Sequence, residues 1–96
     1  LMKIKELLDS PEKWTKGSLS RTESGMWSPL NDPDSTCWCL LGAIRKCYER
    51  QKYQKVFQMV ESHLVANYVI ISITSFNDNP ATTFEMVKKL VEDLDI

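Results

Sequence analysis

A chain of 96 residues has the length of one small domain, which leaves no room for a second core and excludes a two-domain enzyme. Its 43% hydrophobic content excludes intrinsic disorder, and a chain of this size buries roughly two-thirds of its unfolded surface without metal or disulfide staples. Twelve Lys/Arg against thirteen Asp/Glu give a net charge of −1, which argues against a polybasic nucleic-acid binder and against an acidic DNA mimic.

Met2 reads as the natural start, with Leu1 an appended residue, and Lys3-Ile4-Lys5-Glu6-Leu7-Leu8 lacks the apolar core of a signal peptide. Ile4, Leu7 and Leu8 stand at helical spacing. Ser10 can cap a further turn with Pro11 as its first residue, so one broken helix is predicted over about residues 2–15. Residues 15–36 are rich in Gly, Pro, Ser, Asn and Asp and read as a long connection. A short hairpin is expected inside it, with Leu19 and Arg21 on one arm, Ser24-Gly25 at the turn and Met26-Trp27 on the other.

From Thr36 the pattern changes: Cys37, Leu40, Leu41, Ile44 and Cys47 recur at three and four residues, which predicts a buried central helix. Gly42 in its middle weakens the helix by up to ~1 kcal/mol, and close approach of a neighbouring helix is the expected compensation. Tyr53, Val56, Phe57, Val60 and Leu64 define a second helical stripe with His63 on its edge. Phe84, Val87, Leu90, Val91 and Leu94 define a third, preceded by Thr82-x-x-Glu85, a predicted capping box. Residues 68–76 are β-branched and could form a strand, but only with the hairpin as partner; without it they form a helix. The expected fold is mainly α: a compact single domain over 1–96, a bundle of about four helices with a long loop or short β-hairpin after the first.

The longest uncharged apolar run, Cys37 to Ile44, is far below the ~20 residues that span a bilayer, so no membrane association is expected. Three cysteines cannot all pair within the chain, and reduced thiols point to a cytoplasmic location. Charge is uneven: residues 37–60 carry five Lys/Arg against one Glu, and residues 61–96 carry six Asp/Glu against two Lys. Opposed charged regions suit self-association or a charged partner.

Cys37 at a helix start would feel the backbone N–H groups that stabilise a thiolate. The segment Thr36-Cys37-Trp38 resembles the Cys-Trp helix start of papain-like cysteine hydrolases, and His63 followed by Asn77 keeps that family's Cys, His, Asn order. Cys37, His63 and Asn77 are therefore the alternative catalytic set, although the preferred reading is non-catalytic. Zinc from Cys37, Cys39, Cys47 and His63 is not expected, because thiols at Cys37 and Cys39 in one helix point about 200° apart and cannot chelate together unless the helix begins later. No cofactor is expected either. The segment Arg45 to Lys55 interleaves charge with aromatics, so Arg45, Tyr48, Arg50 and Lys52 are binding candidates, for nucleic acid as the weaker reading. Trp27 is a partner or ligand anchor, or a lid over the core. Asn77 and Asp78 read as a turn before the last helix, with ligand contact as the alternative.

Trp14-x-x-Gly17, then Trp38-Cys39-Leu40-Leu41-Gly42-Ala43, then Phe76-Asn77-Asp78 and Thr82/Thr83 before an amphipathic helix, resemble a family of small uncharacterised bacterial and phage proteins, a domain of unknown function. The resemblance implies a fold and a bacterial or phage context, with no established activity. The functional expectation is a non-catalytic helical binding module, such as a phage-encoded modulator that contacts or sequesters a host protein or small ligand, or a second copy of itself.

Overall fold

The computed structural model describes residues 2–70 and 72–96. Its elements in chain order are helix α1 (Ile4–Leu7), a 3-10 turn (Pro11–Lys13), strands β1 (Ser20–Thr22) and β2 (Ser35–Trp38), and helices α2 (Leu40–Cys47), α3 (Arg50–Tyr68), α4 (Ile73–Asp78) and α5 (Phe84–Leu94). The body is mainly α with a small antiparallel sheet, as expected. Where a bundle of about four helices is expected, five α-helices are found among the described residues, because the residue 68–76 region contributes one of its own.

The first predicted helix is broken where the sequence breaks it. Ile4 and Leu8 are fully buried, and Pro11 opens the 3-10 turn behind Ser10. The two chain ends are tied together. Lys5 N–H donates to Ile96 O at 2.9 Å, and the Lys3 and Lys5 ammonium groups reach Asp95 Oδ1 at 2.9 and 2.6 Å. Those two contacts, Lys5 first, hold the Asp95 carboxyl down to about 2.

The predicted hairpin exists but is half of a larger ribbon. Its turn is as expected, with Gly25 at φ +88° and its N–H donating to Thr22 O, and Arg21 bridges Trp27. The main partner of β1 is β2, paired Ser20 with Trp38 and Arg21 with Cys37, with a register shift after Arg21. Trp14 bridges the far side of Trp38 in parallel. The ribbon therefore runs 26–28, β1, β2, 14–15, and the hydroxyls of Ser20, Ser28 and Ser35 bond one another at its centre.

Pairing with β1 takes Cys37 and Trp38 out of the helix that the periodicity predicts. The helix begins only at Leu40, and Cys39 is its N-cap. The β-propensity of Thr36 and Trp38 and a waiting partner strand override a helical stripe that the apolar run also satisfies. Residues 68–76 go the other way. Both edges of β1 are already taken, one by β2 and the other by the 26–28 arm. Helix α3 ends at Tyr68, Val69 turns left-handed at φ 55°, and α4 starts behind Ser72, whose Oγ accepts from Ser75 N–H. Ile71 lies outside the described residues.

The predicted capping box before the last helix does not form, because the cap lies one residue later and places Met86, not Glu85, at the third helical position. Thr83 is the N-cap, its Oγ1 accepting from Met86 N–H, while Thr82 is buried in the preceding turn with its N–H on Asn79 O. The core gathers the predicted stripes: Ile44 of α2, Val56, Val60 and Leu64 of α3, Ile73 and Phe76 of α4, and Val87, Leu90 and Val91 of α5.

Gly42 is required by a close approach, and the neighbour is a strand lead-in rather than a helix. A Cβ there would lie 2.1 Å from the carbonyl oxygen of Leu19, the same oxygen that accepts from Cys39 N–H. In an open helix Gly→Ala would stabilise by up to ~1 kcal/mol. Here Gly42→Ala is expected to destabilise the protein by about 3 kcal/mol through overpacking, measured by denaturant unfolding. A neutral or stabilising result contradicts the contact.

Candidate functional site

The residues of the dispersed motif meet at one place. Helix α4 carries Ile73, Phe76 and Asn77 on one buried stripe, so the carboxamide of Asn77 enters the core beside an aromatic ring. A buried amide must find partners, and all four of its hydrogen-bonding positions are filled. Asn77 Oδ1 accepts from the indole N–H of Trp14 at 2.6 Å and from the N–H of Leu40 at 2.9 Å. Its Nδ2 donates to Thr15 O at 3.0 Å and to Asp78 Oδ1 at 2.9 Å. One side chain thus binds the segment after the 3-10 turn, the start of α2 and the end of α4.

Neighbouring contacts close the same joint. Asp78 Oδ1 also accepts from Gly17 N–H at 3.0 Å, where Gly17 holds φ +78°, a left-handed backbone that favours glycine. Lys16 caps the turn after α4, donating to Asn79 O and Thr82 O while its ammonium stands over the Trp14 ring. Cys39 Sγ accepts from Gly42 N–H at 3.2 Å, a thiol doing the N-cap work usually done by a hydroxyl or carboxylate. Burial pushes this thiol up, with the backbone N–H groups of Gly42 and Leu41 opposing. Burial also pushes Cys47 up, to about 11. Trp38, the remaining motif aromatic, is buried with the Lys46 ammonium over its ring, and its indole N–H has no partner among the described residues.

Beside the joint a cleft of about 200 Å³ opens, with Leu19 and Leu41 as apolar walls and Ser18, Cys39, Thr74 and Asp78 as its polar lining. It is the candidate ligand site of the molecule.

The catalytic alternative does not assemble. Cys37 lies on β2, not in a first helical turn, and its thiol is directed at the Arg21 carbonyl, 3.8 Å away. His63 lies within α3, and Asn77 is fully engaged elsewhere, so no hydrogen bond joins any two of the three among the described residues. The C-x-C pair is split between a strand and a helix cap, and no group of His, Cys, Asp and Glu among the described residues could hold a metal ion.

The basic segment is likewise divided. Tyr48 ends α2 and the chain turns there, so Arg45 lines a groove with Leu41, Tyr53 and Phe57, whereas Tyr48 and Lys52 line a different one with Met59, Leu94 and Ile96. Arg45, Arg50 and Lys52 are exposed, and Tyr48 is half-buried with its hydroxyl pushed up by burial. Trp27 is 66% exposed beside Met26 at 67%, which makes it a surface anchor candidate and not a lid.

The reading of Asn77 and Asp78 as a local turn is corrected. Both lie in the last turn of α4, and the local turn bond belongs to Asn79, whose Oδ1 accepts from Ala81 N–H. The signal for Asn77 was present in its spacing: an amide one and four residues from Phe76 and Ile73 falls on the buried stripe. Nothing in its residue type marked Cys39 as a cap, or Lys16 as the ligand of two carbonyls.

A small, mainly α protein whose scattered Trp, Gly, Cys and Asn positions converge on one amide-centred joint is the class that fold and site define. The chain belongs to the family of unknown function DUF6197, which it matches over residues 1–94. No curated protein and no solved structure matches it.

Asn77→Ala leaves Leu40 N–H and the Trp14 indole without an acceptor and is expected to destabilise the fold by on the order of 3 kcal/mol. Asn79→Ala, which loses only a local bond, is expected to lower stability by about 1 kcal/mol or less. Equal effects in chemical unfolding would mean that Asn77 is no more than a turn residue.

Proposed function

We propose that this chain is a non-catalytic binding module that contacts a protein through the edge of its ribbon at residues 26–28. One observation carries the reading. Met26 and Trp27 are adjacent, each about two-thirds exposed, and the Trp27 N–H and C=O make no hydrogen bond among the described residues. An outward backbone edge beside a large aromatic is the geometry by which a partner strand adds to a sheet: main-chain bonds give affinity and the indole gives the anchor. Glu23 and Asp34 line the shallow cleft next to this turn, so a segment bearing a basic residue fits best.

The ribbon is held on its inner side by the serine hydroxyls and by Trp14, so the edge is presented by a braced element. The absence of an assembled nucleophile and base supports a binding role over the cysteine hydrolase, and the dispersal of the basic segment supports protein over nucleic acid. No helix among the described residues is long and apolar enough to cross a membrane. A bacterial cytoplasmic setting, with the chain acting as a phage-encoded modulator of a host factor, is supported by the family resemblance alone. A second copy of this chain is one partner the edge would accept.

Trp27→Glu removes the anchor from an exposed position and is expected to change stability by less than about 1 kcal/mol. Affinity capture from the source cell with matched amounts of wild type and Trp27→Glu tests the reading, alongside sedimentation of each for self-association. The expected result is a partner, or a dimer, retained by wild type and lost with the variant. Equal retention, or neither partner nor self-association with wild type, contradicts it.

A further inference from the structure

The cleft beside Asn77 has a definite chemical polarity. The start of a helix ordinarily offers N–H groups to an anion, but here three of the first four are engaged. Leu40 N–H is on Asn77 Oδ1, Gly42 N–H is on Cys39 Sγ, and Ala43 N–H is on Cys39 O. Other donors at the cleft are engaged too: Gly17 N–H is on Asp78, both Nδ2 hydrogens of Asn77 are placed, and Ser18 gives its hydroxyl proton to Ser20 O, which leaves the Thr74 hydroxyl, able to donate or accept.

What remains is mostly acceptor capacity. Asp78 Oδ1 takes two hydrogen bonds, while its second carboxylate oxygen takes none among the described residues. Asp78 is the only charged side chain lining the cleft. The cations that flank it are turned to carbonyls: Lys16 to Asn79 O and Thr82 O, Arg21 to Gly25 O and Lys16 O. The apolar lining is supplied by Leu19 and Leu41.

We propose that this cleft binds a short alkylammonium group, with the ammonium on the free oxygen of Asp78 and the alkyl body between Leu19 and Leu41. A volume of about 200 Å³ suits a chain of four or so carbons plus its nitrogen, at roughly 30 Å³ for each small group. Two sources carry that chemistry, a free small amine and a lysine side chain. The site is independent of the ribbon edge at Trp27, so either reading can fail without the other.

The test is a nitrogen-15 amide spectrum of the full chain titrated with n-butylammonium, with Nα-acetyl-lysine methylamide, and with butanol and butyrate as neutral and anionic controls, each to about 100 mM. The expected result is saturable shifts at Gly17, Ser18, Leu41 and Asp78 with the two ammonium compounds and not with the controls. Stronger binding of the capped lysine would assign the source to a protein side chain, and stronger binding of butylammonium to a free amine. Asp78→Asn keeps the Oδ1 that Gly17 and Asn77 use and removes the charge, so it is expected to weaken binding by about tenfold or more. Leu41→Trp fills the cleft from a half-buried position, leaves Asp78 in place, and is expected to block binding should Asp78→Asn unfold. Shifts that do not saturate, that map elsewhere, that are matched by butanol or butyrate, or that survive both variants overturn the proposal.

Discussion

The fold depends on a single buried carboxamide. Asn77 has two acceptor and two donor positions, and each is filled from a different part of the chain: the Trp14 indole, the Leu40 N–H, the Thr15 carbonyl and the Asp78 carboxylate. These contacts span sequence separations of 37 to 63 residues, apart from the one to its neighbour. Hydrophobic burial would collapse the five helices without dictating their mutual register. A buried amide is more demanding, because any arrangement that leaves one of its positions open carries a desolvation penalty of roughly 1–3 kcal/mol. The amide therefore selects the arrangement in which the ribbon, α2 and α4 meet.

The other motif residues follow from that meeting. Gly42 is small so that the Leu19 carbonyl can lie against α2, and Cys39 caps the helix where Leu19 crosses it. Gly17 takes a left-handed backbone so that its N–H reaches Asp78. Asn77 is thus engaged in structure, and no hydrogen bond joins it to Cys37 or His63 among the described residues. The thiols at Cys39 and Cys47 are pushed up by burial, away from the thiolate that a nucleophile requires. The joint also positions two exposed features, the ribbon edge at 26–28 and the acceptor-rich cleft.

Helical stripes were the most legible part of the sequence. Those of α3 and α5 place Val56, Val60, Leu64, Val87, Leu90 and Val91 inward as their spacing requires. The start of α2 is not legible in the sequence, because Thr36-Cys37-Trp38 fits a helical stripe and a strand equally, and only a partner 16 residues upstream decides between them. The same long-range pairing takes both edges of β1, and Ile73–Asp78 form a helix behind the Ser72 cap. Asn77 was seen but given a local role, because turn chemistry is the common use of Asn-Asp-x-Pro. Its distance from Ile73 and Phe76 was the overlooked indication. The cap at Cys39 and the reach of Lys16 could not be read from residue type, since both are set by what lies across the joint.

Hydrogen exchange of two protons tests the central role of Asn77 most directly: the Trp14 indole N–H and the Leu40 amide, followed in the native state at increasing denaturant. The account predicts that both exchange only through global unfolding, with the same free energy and denaturant dependence as the core amides of Leu90 and Val91 in α5. Exchange of either proton that is faster than those core amides and independent of denaturant would contradict it, because the joint would then open while the rest of the fold stays closed.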